Sequence, residues 1–251
     1  MKIQTSLGAV ALALLVAGCG DSGSDLNQAA ATLNTAGPLT QIPAPNNGNW
    51  AEVVSQTPEG GFRMGNPDAP VKLVEYASLT CPHCAAFSNE GTEALRDTYV
   101  RSGQVSWEFR NLILNAPDMA MSVVARCQQP AAFFRTVEQI FAQQQEMMAP
   151  LQNLTEAEGA RISALPPEQQ LAPLARAMEL DTFFARRGMP EARFSECLAN
   201  PANAQQLSDM TNRAMTEEQV TGTPTFFING ERQDADTWAR LQPLLRSAVG
   251  G

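Results

Sequence analysis

The run Val71-Lys72-Leu73-Val74-Glu75-Tyr76 is apolar on both of its alternating faces, the pattern of a strand buried between two layers. A helical stretch follows from Cys81 to about Val100, with Phe87, Ala94, Leu95 and Tyr99 placing apolar bulk on one side. Val105 to Leu114 reads as the next strand, so strand, helix and strand make a βαβ unit with parallel pairing. Upstream, Trp50 to Val54 is expected to form a short edge strand, and Gly60, Gly61, Asn66 and Pro67 mark turns. From Ala116 to about Gln219 the spacing becomes helical, over 119–127, 131–145, 168–180, 181–187, 191–198 and 202–219. Pro130, Pro150, Pro166, Pro190 and Pro201 fall at or near these boundaries. Thr225 to Ile228 then reads as a strand, Asn229-Gly230 as a hairpin turn and Glu231-Arg232-Gln233 as its return. A last helix, capped by Asp236 or Thr237, runs through Trp238, Leu241, Leu244 and Leu245 to Val249, with Pro243 able to kink it.

With 251 residues, 44% of them hydrophobic and 17% charged, the chain has the composition of a globular protein with a sizeable core. A net charge of -9, with Lys2 and Lys72 the only lysines, argues against a nucleic-acid partner. Residues 1–18 read as a signal peptide: Lys2 is followed by an apolar stretch from Leu7 to Ala17, too short for a permanent span. It ends in Leu15-Val16-Ala17-Gly18-Cys19, similar to a bacterial lipobox, in which Cys19 becomes an acylated N-terminus that anchors the protein to a membrane. The alternative is an ordinary secretory signal with an incidental cysteine. Residues 19–49, rich in Gly, Ala, Ser, Asn, Pro and Thr, read as a flexible tether, and 50–251 as the folded part.

Candidate chemistry concentrates at Cys81-Pro82-His83-Cys84, between the buried strand and the helix. Unpaired backbone N–H groups at a helix N-terminus favour a thiolate, so Cys81, placed at the first exposed position, is expected to be the nucleophile. Cys84, one turn on and turned inward, is expected to resolve the mixed disulfide. Pro82 suits a first helical turn, and His83, the only histidine, can set positive charge or a ring N–H beside the Cys81 sulfur. A stabilised thiolate makes the corresponding disulfide a better oxidant.

These residues, with Gly222-Thr223-Pro224-Thr225-Phe226-Phe227-Ile228-Asn229-Gly230 about 140 residues downstream, resemble the active site and cis-proline loop of the DsbA family of thioredoxin-fold oxidoreductases. The resemblance runs from about Val71 to the C-terminus. It implies an α/β, thioredoxin-like fold with an inserted α-helical domain at about 116–219, and a cis bond before Pro224. With Thr223, that proline would pair with an extended substrate. The implied activity is disulfide exchange in cysteine-containing exported proteins of the periplasm, with a quinone-linked membrane protein as redox partner. Threonine rather than valine before Pro224 also occurs in isomerase and reductase relatives, so reductase or isomerase is the second reading. Glu75 resembles a buried acidic residue of the family, expected to exchange a proton with Cys84; the alternative is a strand-end carboxylate in solvent.

Removing Cys19 leaves four cysteines, enough for two pairs. Cys127 and Cys197 fall in two predicted helices, as a disulfide closing a loop of about 70 residues or as two separate buried thiols. A further, weaker alternative is a thioredoxin-fold metal-delivery lipoprotein using Cys81, Cys84 and His83. One C-x-x-C and one histidine supply too few ligands for a closed zinc site, and Met119, Met121, Met147 and Met148 are expected to fill core, so no metal and no cofactor is predicted.

Overall fold

The structure, a computed structural model, describes residues 37–250, so Cys19, the signal peptide and most of the predicted tether lie outside the described residues. Six strands form one mixed sheet in the order β1-β2-β4-β3-β5-β6, comprising β1 Val54–Gln56, β2 Phe62–Gly65, β3 Val71–Ala77, β4 Val105–Asn111, β5 Thr225–Ile228 and β6 Glu231–Arg232. β3 and β4 pair in parallel, Leu73 opposite Trp107 and Glu75 opposite Phe109; every other neighbouring pair is antiparallel.

The odd positions of β3 face the main core, where Val71, Leu73 and Ala77 meet Phe87, Leu95 and the aromatic group Trp107, Phe109, Phe133 and Phe134. Tyr76 and Val74 face the other side, against Leu112, Ala214, Val220 and Phe227. Burial on both faces explains why β3 does not alternate cleanly in polarity. The helix that follows β3 is α1 Pro82–Ala94, continuing as a π-helical turn over Leu95–Val100. Gly91 lies in it beneath the last helix, α10 Trp238–Ala248, where an added Cβ would come within 2.7 Å of the Trp238 ring.

Between β4 and β5 the chain is helical: α2 Ala116–Arg126, α3 Phe133–Ala142, α4 Gln144–Gln152, α5 Glu156–Ser163, α6 Pro167–Ala177, α7 Leu180–Ala185, α8 Glu191–Ala199 and α9 Pro201–Thr216. The stretch predicted as one helix over 131–145 is a 3-10 turn at Pro130–Ala132 followed by α3, and the chain breaks at Gln143, whose φ and ψ of -114° and 13° leave the helical region, before α4 begins. Helix α5 was not predicted; its sequence signal is the capping box Thr155/Glu158, and none of its residues is buried.

Three further boundaries differ from expectation. Trp50–Glu52 is a 3-10 turn rather than an edge strand, because Asn49 accepts from the Ala51 N–H and the buried Trp50 donates Nε1 to the Ile42 carbonyl at 2.8 Å. The edge strand is β1, paired to β2, which occupies the gap between the predicted turns. Residues 38–49 do not hang free: Ile42 N–H donates to Ser102 O at 2.8 Å, and Leu39 packs on the core. At the other end, Asn229 and Gly230 both take positive φ, 52° and 86°, as a two-residue hairpin requires.

Candidate active site

Cys81 is the N-cap of α1, with extended φ and ψ of -81° and 120°, and Pro82 takes the first helical position, where its missing N–H costs nothing. The expected exposed nucleophile is instead 6% exposed, because the loop carrying Pro224 closes over it. Its Sγ lies 3.3 Å from the Thr223 carbonyl oxygen, to which the thiol donates, and the Thr223–Pro224 bond is cis. A segment 142 residues away in sequence thus touches the sulfur directly.

The Cys81 thiol is pulled down to about 5. The main cause is a hydrogen bond from the Cys84 thiol, supported by the Thr223 hydroxyl and the backbone N–H groups of Cys84 and His83, all against the cost of desolvation. The Thr223 hydroxyl is itself buried and has no partner at full hydrogen-bonding geometry; the direct contact of the sulfur with this residue is to its carbonyl. His83 is exposed, and it is its main-chain N–H that acts on the sulfur. Cys84 is fully buried and its thiol is pushed well above the ordinary range, first by desolvation and then by the hydrogen bond and charge of Cys81. Within one turn, one thiol becomes an anion near neutral pH and the other keeps its proton.

Glu75 is buried on the odd face of β3, 1% exposed, so the solvated strand-end alternative does not hold. Its Oε2 accepts from Trp107 Nε1 at 2.9 Å. Desolvation raises its carboxyl to about 8 against that hydrogen bond, and its charge acts on Cys84. Trp107 was not predicted as part of the site, although its place beside Leu73 on the adjacent parallel strand could have been read from the βαβ pattern.

The proline loop is delivered by the end of the helical segment. Tyr76 donates its hydroxyl to Glu218 Oε1 at 2.6 Å, Arg110 donates to the same oxygen at 3.1 Å, and Val220 N–H donates to Ala214 O at 2.9 Å. Far from the loop, Cys127 and Cys197 are joined as a disulfide between the end of α2 and α8. Among the described residues, no three His, Cys, Asp or Glu side chains group as a metal shell would.

A family model described as Thioredoxin matches residues 57–247, and the chain belongs to that family. The crystal structure of a protein-disulfide isomerase from Novosphingobium aromaticivorans is similar, with a TM-score of 0.72 and 32% identity over 75% of this chain and 97% of that one. Wolbachia pipientis alpha-DsbA1 shares the fold, with a TM-score of 0.61 and 18% identity over 83% of this chain and 94% of that one. The fold is therefore the thioredoxin-like one with a helical insertion, as in DsbA-like proteins. A candidate protein-disulfide oxidoreductase of Rickettsia bellii is 24% identical over 71% of this chain and 61% of its own, so the chain spans about three fifths of that curated relative's length.

Proposed function

We propose that this protein is a thiol:disulfide oxidoreductase that exchanges disulfides with cysteine-containing exported proteins. The observation that carries the reading is the contact of the Cys81 sulfur, held as a thiolate down to about 5, with the carbonyl of the residue before Pro224. In the oxidising direction a substrate thiolate attacks Sγ of Cys81 in the Cys81–Cys84 disulfide. The sulfur–sulfur bond breaks toward Cys84, which takes a proton from Glu75 because its own thiol holds protons strongly. The second substrate thiolate then attacks the substrate sulfur of the mixed disulfide, and Cys81 leaves as a stable anion. The substrate dithiol has lost two electrons and two protons, and the protein disulfide has gained the electrons. The acidity of Cys81 favours this direction, since stabilising the reduced form makes the disulfide more oxidising. The extended substrate would run along the Thr223–Pro224 backbone. Isomerase or reductase action is the second reading, and the similar Novosphingobium protein, a protein-disulfide isomerase, supports its isomerase form.

The same proposal places the enzyme outside the cytoplasm, in the periplasm-facing envelope, acylated at Cys19 and reoxidised by a quinone-linked membrane protein. The supporting observations are the Leu15–Cys19 pattern in the sequence and the disulfide elsewhere in the fold. No described helix is long and apolar enough to cross a membrane. The test is trapping: a Cys84→Ala variant should accumulate mixed disulfides through Cys81 with reduced client peptides, and Cys81→Ser should accumulate none. Full oxidase activity in Cys81→Ser ends the proposal, and a reduction potential near about -270 mV, that of thioredoxin, turns it toward the reductase reading.

A further inference from the structure

The segment Ser78-Leu79-Thr80-Cys81 leaves the sheet and must turn sharply into α1, and its backbone is buried: Ser78 and Leu79 are 0% exposed. Buried peptide groups need partners, and in a connection this short the sheet and helix ladders cannot supply them all. Ser78 supplies part of the answer, its carbonyl accepting from Cys81 N–H at 3.2 Å and its hydroxyl from Thr80 N–H at 3.2 Å. The rest comes from the helical insertion.

Asp118, 0% exposed on the first turn of α2, accepts at Oδ1 from Leu79 N–H at 2.9 Å and at Oδ2 from Leu114 N–H at 3.0 Å. Ser122 hydroxyl donates to the same carboxylate at 3.3 Å. Gln144, 5% exposed at the first position of α4, donates Nε2 to two carbonyls at once, Leu79 O at 2.9 Å and Cys81 O at 3.0 Å. Asn115, the N-cap of α2, donates to Thr80 Oγ1 at 3.0 Å. The break at Gln143 that divides α3 from α4 lets the Gln144 amide head the new helix.

We propose that Asp118 and Gln144 are positioning residues for the nucleophile: a polar clamp by which the insertion fixes the backbone of Cys81. The inference rests on the reading of Cys81 as the attacking sulfur. Its physical basis is directional. The N–H groups of His83 and Cys84 lower the Cys81 thiol from the start of α1, and where they stand relative to the sulfur is set by the extended backbone of the N-cap. The Cys81 carbonyl is committed on one side to Ala85 N–H, at 3.1 Å, and Gln144 holds it from the other. Asp118 holds the same loop two peptides earlier, at the Leu79 N–H. Neither residue touches the sulfur, so their effect travels through the geometry of the loop. A pair of side chains that only filled space would be replaceable by apolar groups of equal size without any change at the thiol.

The test uses the full chain in its reduced form, with thiolate absorbance at 240 nm and iodoacetamide alkylation followed from pH 3 to pH 9, together with thermal unfolding. Gln144→Met keeps volume and removes both hydrogen bonds, Asp118→Asn keeps shape and removes one accepting oxygen, and Gln145→Ala, at an exposed neighbouring position, is the control. The expected result is a Cys81 titration midpoint raised by about one unit in Gln144→Met, with about tenfold less thiolate at pH 4, a smaller rise in Asp118→Asn, because burial holds the Asp118 carboxyl up at about 6 and it is already protonated over most of the Cys81 titration, and no change in the control. Asp118→Glu should lie between the wild type and Asp118→Asn. If Gln144→Met and Asp118→Asn unfold at lower temperature yet titrate like the wild type, the pair is structural and the clamp is refuted. Should one variant fail to fold, the other decides by its own shift. A wild-type protein with no acidic thiolate would instead overturn the assignment of Cys81 itself.

Discussion

Cys81 and Glu75 are driven in opposite directions by their surroundings, and each direction has a measurable consequence. Hydrogen bonds outweigh burial at Cys81, so the folded thiol ionises at about 5 and the reduced protein gains stability as pH rises from there toward the ordinary thiol value. That gain is lost as pH falls through about 5. Because one proton accompanies the two electrons above that pH and two below it, the reduction potential should fall by about 30 mV per pH unit near neutrality and about twice as steeply below pH 5. A redox titration against glutathione at several pH values reads the break; a single steep slope down from pH 8 would refute the acidic thiol. At Glu75 burial outweighs the one hydrogen bond from Trp107, and the folded carboxyl keeps its proton up to about 8 while the unfolded chain releases it near 4.5. Unfolding between those pH values releases a proton, so Glu75 costs more stability the higher the pH rises through that window. Glu75→Gln, which still offers Trp107 an acceptor, should therefore stabilise the protein by roughly 1–3 kcal/mol at pH 7 and by almost nothing at pH 4. Chemical denaturation at the two pH values checks it. The same variant should slow exchange, since Cys84 loses its proton donor, and that pairing of greater stability with lower activity is what separates a working carboxyl from a misplaced one.

Helix α1 carries the nucleophile at one end and a close packing contact in its middle, where Gly91 lets α10 approach with Trp238 against its backbone. Gly91→Ala gains helix propensity of about 1 kcal/mol but drives a methyl group to 2.7 Å from the indole, and overpacking of this kind costs about 1–3 kcal/mol. The expected outcome is net destabilisation in thermal unfolding; a Gly91→Ala protein as stable as the wild type would show that α10 moves aside freely. The element scale also shows what a linear pattern can and cannot carry. Strand β3, helix α1 and the Asn229-Gly230 hairpin were legible because periodicity and turn chemistry are local properties. The four-residue strand β2 was hidden because flanking glycines, Asn66 and Pro67 read as turns, and its evidence is its pairing with β1 on one side and β4 on the other. Helix α5 escaped because an element that buries nothing has no apolar stripe. At the site, Cys81 and Cys84 announce themselves by spacing, whereas Asp118 and Gln144 do not: their partners are backbone groups 39 and 65 residues away in sequence, and no pattern of side chains records where a carbonyl will point.

Across the whole molecule, the insertion reaches the active site through the first turns of α2 and α4, while the Cys127–Cys197 disulfide ties the far end of α2 to α8. Nine residues of helix, about 13 Å along its axis, separate Asp118 from Cys127. The two ends can therefore be perturbed separately, which distinguishes a rigid insertion from a loosely coupled one. The disulfide closes a loop of 70 residues, and the chain-entropy estimate for its removal is about 4 kcal/mol as an upper bound. Helices α2 and α8 also touch through residues other than the two cysteines, with α6 packed against both, so the insertion is expected to keep its arrangement when the bond is absent. The Cys127→Ala/Cys197→Ala protein should thus unfold at lower urea concentration, by an amount corresponding to about 2–4 kcal/mol, yet titrate Cys81 with the wild-type midpoint while it remains folded. Should the midpoint rise together with the loss of stability, strain at the far end of α2 reaches Asp118, and the insertion would have to be treated as an elastic rather than a rigid support for the nucleophile.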